Sequence, residues 1–236
     1  MLILSTLQLI LIAAAVIPAV ALMVYVYRAD RLEKEPTVLL WSLIFQGIIS
    51  TALAVFTERL GAQMLGSMVN PRSMLYQFLF YFLVVGLSEE GFKYLLLKRR
   101  TWASPYFNCR FDGVVYAVFV SLGFALCENV FYAITYDITA IFGRTLTAIP
   151  GHACFGIYMG VFYGIAKKYD KEGNYARAKH FGRLASAVPI LLHGAYDYIA
   201  AVGTTAAAWI FLIYIAVLFI VTFIRIKRVS DEDNFF

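Results

Sequence analysis

Two adjacent glutamates and a lysine, Glu89, Glu90 and Lys93, stand near the end of an apolar run that begins at Met74. On insertion scales a charged side chain at the centre of a membrane helix costs about 2.5–3.5 kcal/mol. A chain carries three such groups together only where they face a protein interior or a wet cavity and pair with one another. The stretch Gly86-Leu87-Ser88-Glu89-Glu90-Gly91-Phe92-Lys93-Tyr94 therefore demands a fold that surrounds it, and the rest of the sequence must supply its partners.

The flanking sequence is that of an integral membrane protein. Of 236 residues, 61% are apolar and 15% charged, and the mean hydropathy is +0.74. Soluble domains carry about 25% charged residues. The net charge of +5 is no nucleic-acid signal, because the basic residues sit in short loops between apolar runs. Cys109, Cys127 and Cys154 are too few for a disulfide framework and match no zinc spacing. The leading apolar run has no basic segment before it and is long for a signal peptide, so it reads as a retained first span.

About 20 apolar residues cross a bilayer. On that measure the chain reads as an all-α polytopic bundle of about seven spans, near residues 2–27, 37–57, 73–97, 111–136, 145–166, 184–203 and 206–226. They form one integral membrane domain over 1–236, with a motif core in 86–200. Gly203-Thr204-Thr205 offers the last tight turn. Loops on one side of this division hold 16 Lys and Arg, and those on the other hold only Arg59, Arg72 and Arg144. The positive-inside rule then places the N-terminus outside and the C-terminus in the cytoplasm.

The strongly polar groups inside these spans are Glu89, Glu90, Lys93, Glu128, Asn129, His152, His193 and Asp197. Lys93 reaches either glutamate from its own helix, since residues three and four apart are neighbours there. A structural pair needs one carboxylate, so the second is surplus and suits acid–base work. His193 and Asp197 share a helical face, the arrangement of an imidazole oriented by a carboxylate. Gly156, Gly160 and Gly164 follow His152 at intervals of four, a small-residue stripe that aims it into the bundle. Gly113, Ala117, Ser121, Ala125 and Asn129 repeat the device, with Glu128 beside Asn129. Asp112 marks the start of its span, as a helix cap or a site residue.

Together these motifs resemble the PrsW family of intramembrane proteases, which is similar to the wider CAAX-processing and bacteriocin-processing protease superfamily. The resemblance rests on Glu89-Glu90-Gly91-Phe92-Lys93, on Phe111-Asp112-Gly113-Val114-Val115-Tyr116, and on Gly123-Phe124-Ala125-Leu126-Cys127-Glu128-Asn129. His152 with Gly156, and His193-Gly194-Ala195-Tyr196-Asp197, complete it. Ala117 departs from the pattern, standing where a glycine is usual. The resemblance implies a multi-pass glutamate-dependent endopeptidase of the bacterial cytoplasmic membrane. Its substrate would be a membrane-anchored protein, an anti-sigma factor in regulated proteolysis, cut on the extracytoplasmic side. No nucleic-acid partner is implied, and the oligomeric state stays open.

The chemistry expected is peptide hydrolysis without a covalent intermediate. Glu89 or Glu90 activates water, and His193 with Asp197, or His152 with Asn129, donates to the oxyanion. Lys93, Asp112, Glu128, Asn129 and Asp197 support these catalytic groups. No cofactor or metal is expected, since no HExxH or comparable motif is present. Were the protein a zinc enzyme, Glu89, Glu90, His152 and His193 would be its ligands. A proton-coupled transporter is the rival from another class, because buried ionisable groups also build proton relays. Counted from the expected helix ends, Glu128 and His152 lie roughly 10–13 Å deeper than Glu89 and Glu90 along the membrane normal. That spread leaves Glu128 and His152 outside the reacting centre unless the ends are misplaced.

Overall fold

The computed structural model describes residues 6–135 and 138–236, and side chains outside 1–11, 14–15 and 134–146. The start of the expected first span, the end of the fourth and the side chains of the junction before the fifth, that of Arg144 included, lie outside the described residues. Among the described residues eight α-helices follow one another: α1 (Thr6–Ala29), α2 (Thr37–Met68), α3 (Met74–Leu79), α4 (Leu87–Thr101), α5 (Arg110–Thr135), α6 (Ile138–Lys171), α7 (Tyr175–Ala201) and α8 (Thr205–Asp231). A π-helical segment, Phe80–Gly86, joins α3 to α4 without a break.

Local chemistry sets most of these ends. Pro36 precedes α2, where a missing N–H costs nothing. Ser73, Asn174 and Thr204 cap α3, α7 and α8 by accepting from the backbone N–H three residues on. Gly173 and Gly203 take positive φ (73° and 70°) in the turns before α7 and α8.

The all-α class stands, but the division into seven spans does not. Among the described residues only four helices are long and apolar enough to cross a membrane: Thr37–Met68, Arg110–Ala133, Thr147–Lys171 and Thr205–Asp231. Val16–Ala29 is a shorter apolar helix. The run at 73–97 looked continuous only because its apolar residues were counted through charge. The helix through it changes from α (6 residues) to π (7) and back to α (15), and the last part holds Glu89, Glu90 and Lys93 with Lys98, Arg99 and Arg100. α7 likewise spends its first turns on Arg177, Lys179 and Arg183 and carries His193 and Asp197 further on. The orientation deduced from seven crossings falls with the count.

α5 and α6 form the centre. Their membrane windows are mostly buried, whereas that of α8 is only 17% buried. α8 turns Trp209, Ile213, Val217, Ile220 and Phe223 outward, and α2 does the same with Val38, Trp41 and Phe45. A water-soluble protein rarely exposes so much contiguous apolar surface, but lipid tails accept it. The small-residue stripe does what its spacing implied. A Cβ on Gly160 would strike the backbone of Gly113 and Val114, so α5 and α6 approach at backbone distance.

The α7 contact with the π segment matters most for the site. A Cβ on Gly86 would lie 2.9 Å from the carbonyl oxygen of Ile190, and one on Gly194 would lie 2.7 Å from the Phe82 ring. Two glycines thus allow these helices to touch one residue away from His193 and three from Glu89.

Candidate active site

α4 supplies Glu89, Glu90 and Lys93, all buried, and Glu90 and Lys93 are wholly inaccessible. The wider π turn before α4 changes the angular register of everything after it. A strict 3.6-residue period through 74–97 therefore assigns the glutamates to the wrong faces.

Glu90 is the anchor. Its Oε1 accepts from Lys93 Nζ at 2.7 Å and pairs with His193 Nδ1 at 2.9 Å. Glu89 is held more loosely, with Oε2 at 3.3 Å from Lys93 Nζ and 3.7 Å from His193 Nδ1. The Lys93 ammonium also lies 3.1 Å from His152 Nδ1 and 3.7 Å from the centre of the Phe124 ring. The ring face favours a cation, which helps to hold this one away from water.

The hydrogen-bond inventory decides the histidine tautomer at one position. Lysine has donors only, so His152 Nδ1 accepts and Nε2 carries the proton. That Nε2 lies 3.1 Å from Glu128 Oε2. His193 stands between two carboxyls, Glu90 at Nδ1 and Asp197 at Nε2 (3.2 Å). With both carboxyls ionised, it donates from both nitrogens. Phe155 stacks on the His193 ring with centroids 4.9 Å apart, and the two histidine rings are 5.2 Å apart.

These groups border a chamber of about 290 Å³. Glu89, Glu128, His152, His193 and Asp197 line it together with Glu58, Tyr81, Tyr132 and Tyr196. Glu90 and Lys93 are not among its lining residues. Of the adjacent pair, the arrangement can therefore present Glu89, together with two imidazoles, to a peptide bond, while Glu90 and the ammonium hold them from behind.

Of the residues singled out from sequence, Glu89, Glu90, Lys93, His152, His193, Asp197 and Glu128 come together. The depth mismatch dissolves because the helix ends differ. α4 continues to Thr101 and α6 runs from Ile138 to Lys171, so positions counted from the expected boundaries were displaced. Asn129 stays buried beside the site, donating to Ala125 O on its own helix, and Glu128 takes the place at His152. Asp112 is not brought in. As the third residue of α5 it reaches back to accept from the backbone N–H of Asn108 and Cys109, which precede the helix, the return half of a capping box and not the N-cap expected of it.

Glu58 was missed. It fell in the expected loop after the second span, but α2 continues through it to Met68 and turns it into the chamber. The available signal was a lone acid directly after the apolar run, with no proline or glycine to end the helix before it.

Glu89, Glu90, His152 and His193 each offer a donor atom, and all four atoms lie within 4.8 Å of one another. Two nitrogens and two oxygens suit zinc, as does the carboxylate behind each imidazole. Lys93 does not suit it. The ammonium lies within 3.3 Å of donor atoms on Glu89, Glu90 and His152, so it already occupies the space among them. A dication bonded to the same donors would sit against a buried positive charge, and the residues as arranged do not fit a metal.

A family model described as PrsW family intramembrane metalloprotease matches residues 34–224. Protease PrsW of Oceanobacillus iheyensis is 34% identical over 222 residues, covering 94% of this chain and 97% of the relative. Protease PrsW of Bacillus subtilis is 32% identical over 203 residues, covering 85% and 86%. That of Clostridioides difficile is 28% identical over 224 residues, covering 93% and 91%. No solved structure matches the chain.

Proposed function

Because this multi-pass bacterial membrane protein belongs to the PrsW family of intramembrane proteases, we propose that it hydrolyses a peptide bond of a membrane-anchored protein with Glu89 activating the attacking water. The observation that carries this reading is the unequal position of two adjacent carboxylates. Glu90 is fully buried and holds Lys93 and His193, whereas Glu89 borders the chamber.

In the proposed reaction Glu89 takes a proton from a water molecule in the chamber. The oxygen adds to the scissile carbonyl carbon, and the carbonyl oxygen becomes an oxyanion. An N–H of His152 or His193, turned from Glu128 or Asp197 towards the substrate, donates to it. Each such donor contributes roughly 10²–10³-fold in rate. Glu89 then returns its proton to the amide nitrogen as the C–N bond breaks, leaving an acid and an amine. Lys93 fixes the positions of both glutamates and of His152 throughout. Residues 1–236 act as one protease domain in this reading, with the reacting groups in the core at 86–200.

The substrate class is a membrane-anchored anti-sigma factor cut in regulated proteolysis, which rests on the family resemblance alone. Comparative proteomics of membrane-anchored regulators tests both parts. Cells with the wild-type enzyme should accumulate a truncated regulator that is absent from cells carrying Glu89→Gln. Equal processing in both would overturn the mechanism, and processing of other protein classes only would overturn the substrate assignment.

A further inference from the structure

Glu58 reaches the chamber from α2, a helix that contributes none of the motif residues. Each other acid at the site has a polar partner. Glu90 is bonded to Lys93 and His193, Glu89 to Lys93, Glu128 to His152 and Asp197 to His193. Glu58 differs: among the described residues no side chain bonds it, and its Oε1 is buried without a partner, whereas Glu90 leaves only its second oxygen, Oε2, in that state and is held through Oε1. A buried carboxylate oxygen without a donor is costly, so the position makes physical sense when a donor arrives from outside.

The charge of the site indicates which donor. Among the described residues, five carboxyls (Glu58, Glu89, Glu90, Glu128 and Asp197) stand with two basic groups, Lys93 and His193. Lys93 is wholly buried and already engaged with three partners. A surplus of negative charge in an enclosed cleft attracts and selects cations. The remaining wall includes Phe80, Tyr81 and Tyr132, aromatic residues of the kind that pack against a long basic side chain.

We propose that Glu58 sets substrate specificity by pairing with a lysine or arginine side chain within a few residues of the bond to be cut. This rests on the protease reading above and names the substrate feature that the same chamber selects. Glu58 takes no part in bond breaking.

The test uses the full-length enzyme in liposomes with a library of single-span peptides randomised around the membrane boundary, whose products are sequenced. For the wild type, Lys and Arg should be enriched about tenfold over Met and Leu at one position near the cut, a modest yield for a close charge pair. Glu58→Asp should keep the enrichment, Glu58→Gln should bring it near unity, and Glu58→Lys should shift it towards Asp and Glu. Each preference is a ratio within one variant, so a loss of folded enzyme cancels. Cleavage without basic enrichment by the wild type, or an unchanged preference in Glu58→Gln, overturns the specificity role and leaves the protease reading intact. Failure of the wild type to cut any membrane-anchored peptide overturns both.

Discussion

Lys93 Nζ lies 3.1 Å from Nδ1 of His152, joining α4 to α6 at the point where the two glutamates are held. One ammonium thereby fixes both carboxylates and the tautomer of an imidazole on another helix. Replacing it strands two buried carboxylates at once. Removing one partner of a buried pair costs about 3–5 kcal/mol, so Lys93→Met should unfold well below the wild type in detergent melts and lack cleavage. Lys93→Arg should not restore it, because a planar guanidinium does not reproduce a point ammonium held 3.7 Å from the Phe124 ring centre and directed at three partners.

The two glutamates should separate by experiment. Glu89→Gln should lower turnover by roughly 10²–10⁴-fold, as loss of a general base does, with little change in melting temperature. Glu90→Gln should lose cleavage and stability together, since it breaks the contacts to Lys93 and His193. Melting curves beside single-turnover assays of the two variants check this, and the opposite pattern would exchange their roles.

Chelation should leave activity intact. Dialysis against a strong chelator, followed by cleavage assays with and without added zinc, should give equal rates, because Lys93 fills the space among the donors. Loss of activity restored by zinc would mean that the ammonium leaves this position in the working enzyme.

Gly194 should tolerate no side chain. In Gly194→Val the new atoms meet the Phe82 ring and backbone and push α7 from the π segment, separating His193 from Glu90. Overpacking of this kind costs about 1–3 kcal/mol. Activity should fall further than the melting temperature suggests, as paired melts and rate measurements would reveal.

The loop between α1 and α2 should make stability depend on pH. Glu35 is buried there with Asp112, Tyr116 and Asp30 facing it, and burial followed by Asp112 pushes its carboxyl from 4.5 up to about 8. Asp30 is pushed from 3.8 up to about 6 by burial, with Asp112 and Asp233 adding and Lys34 opposing. The unfolded chain releases these protons first, so the folded state holds more of them in between. Stability is fully present below the unfolded values and is lost as pH rises through the folded ones. Melting temperature should fall as pH climbs from about 5 to about 9. Glu35→Gln should flatten that slope, and an unchanged slope would assign the dependence elsewhere.

What the sequence determined by itself was local. Helical periodicity joins Lys93 to its glutamates and His193 to Asp197, because residues three and four apart always share a face. The glycine stripe also aimed His152 inward, since only small residues let helices pack so closely. The number of crossings was not local in this sense. Seven apolar runs are legible, but four described helices have the length and apolarity to cross, because charge and a π segment interrupt the rest. Tertiary structure alone placed Glu128 rather than Asn129 at His152, brought Glu58 into the chamber and separated Glu89 from Glu90. The physical reason is that backbone contact at Gly86, Gly194 and Gly160 sets the relative height and rotation of helices far apart in the chain. No repeat within a single helix encodes those quantities.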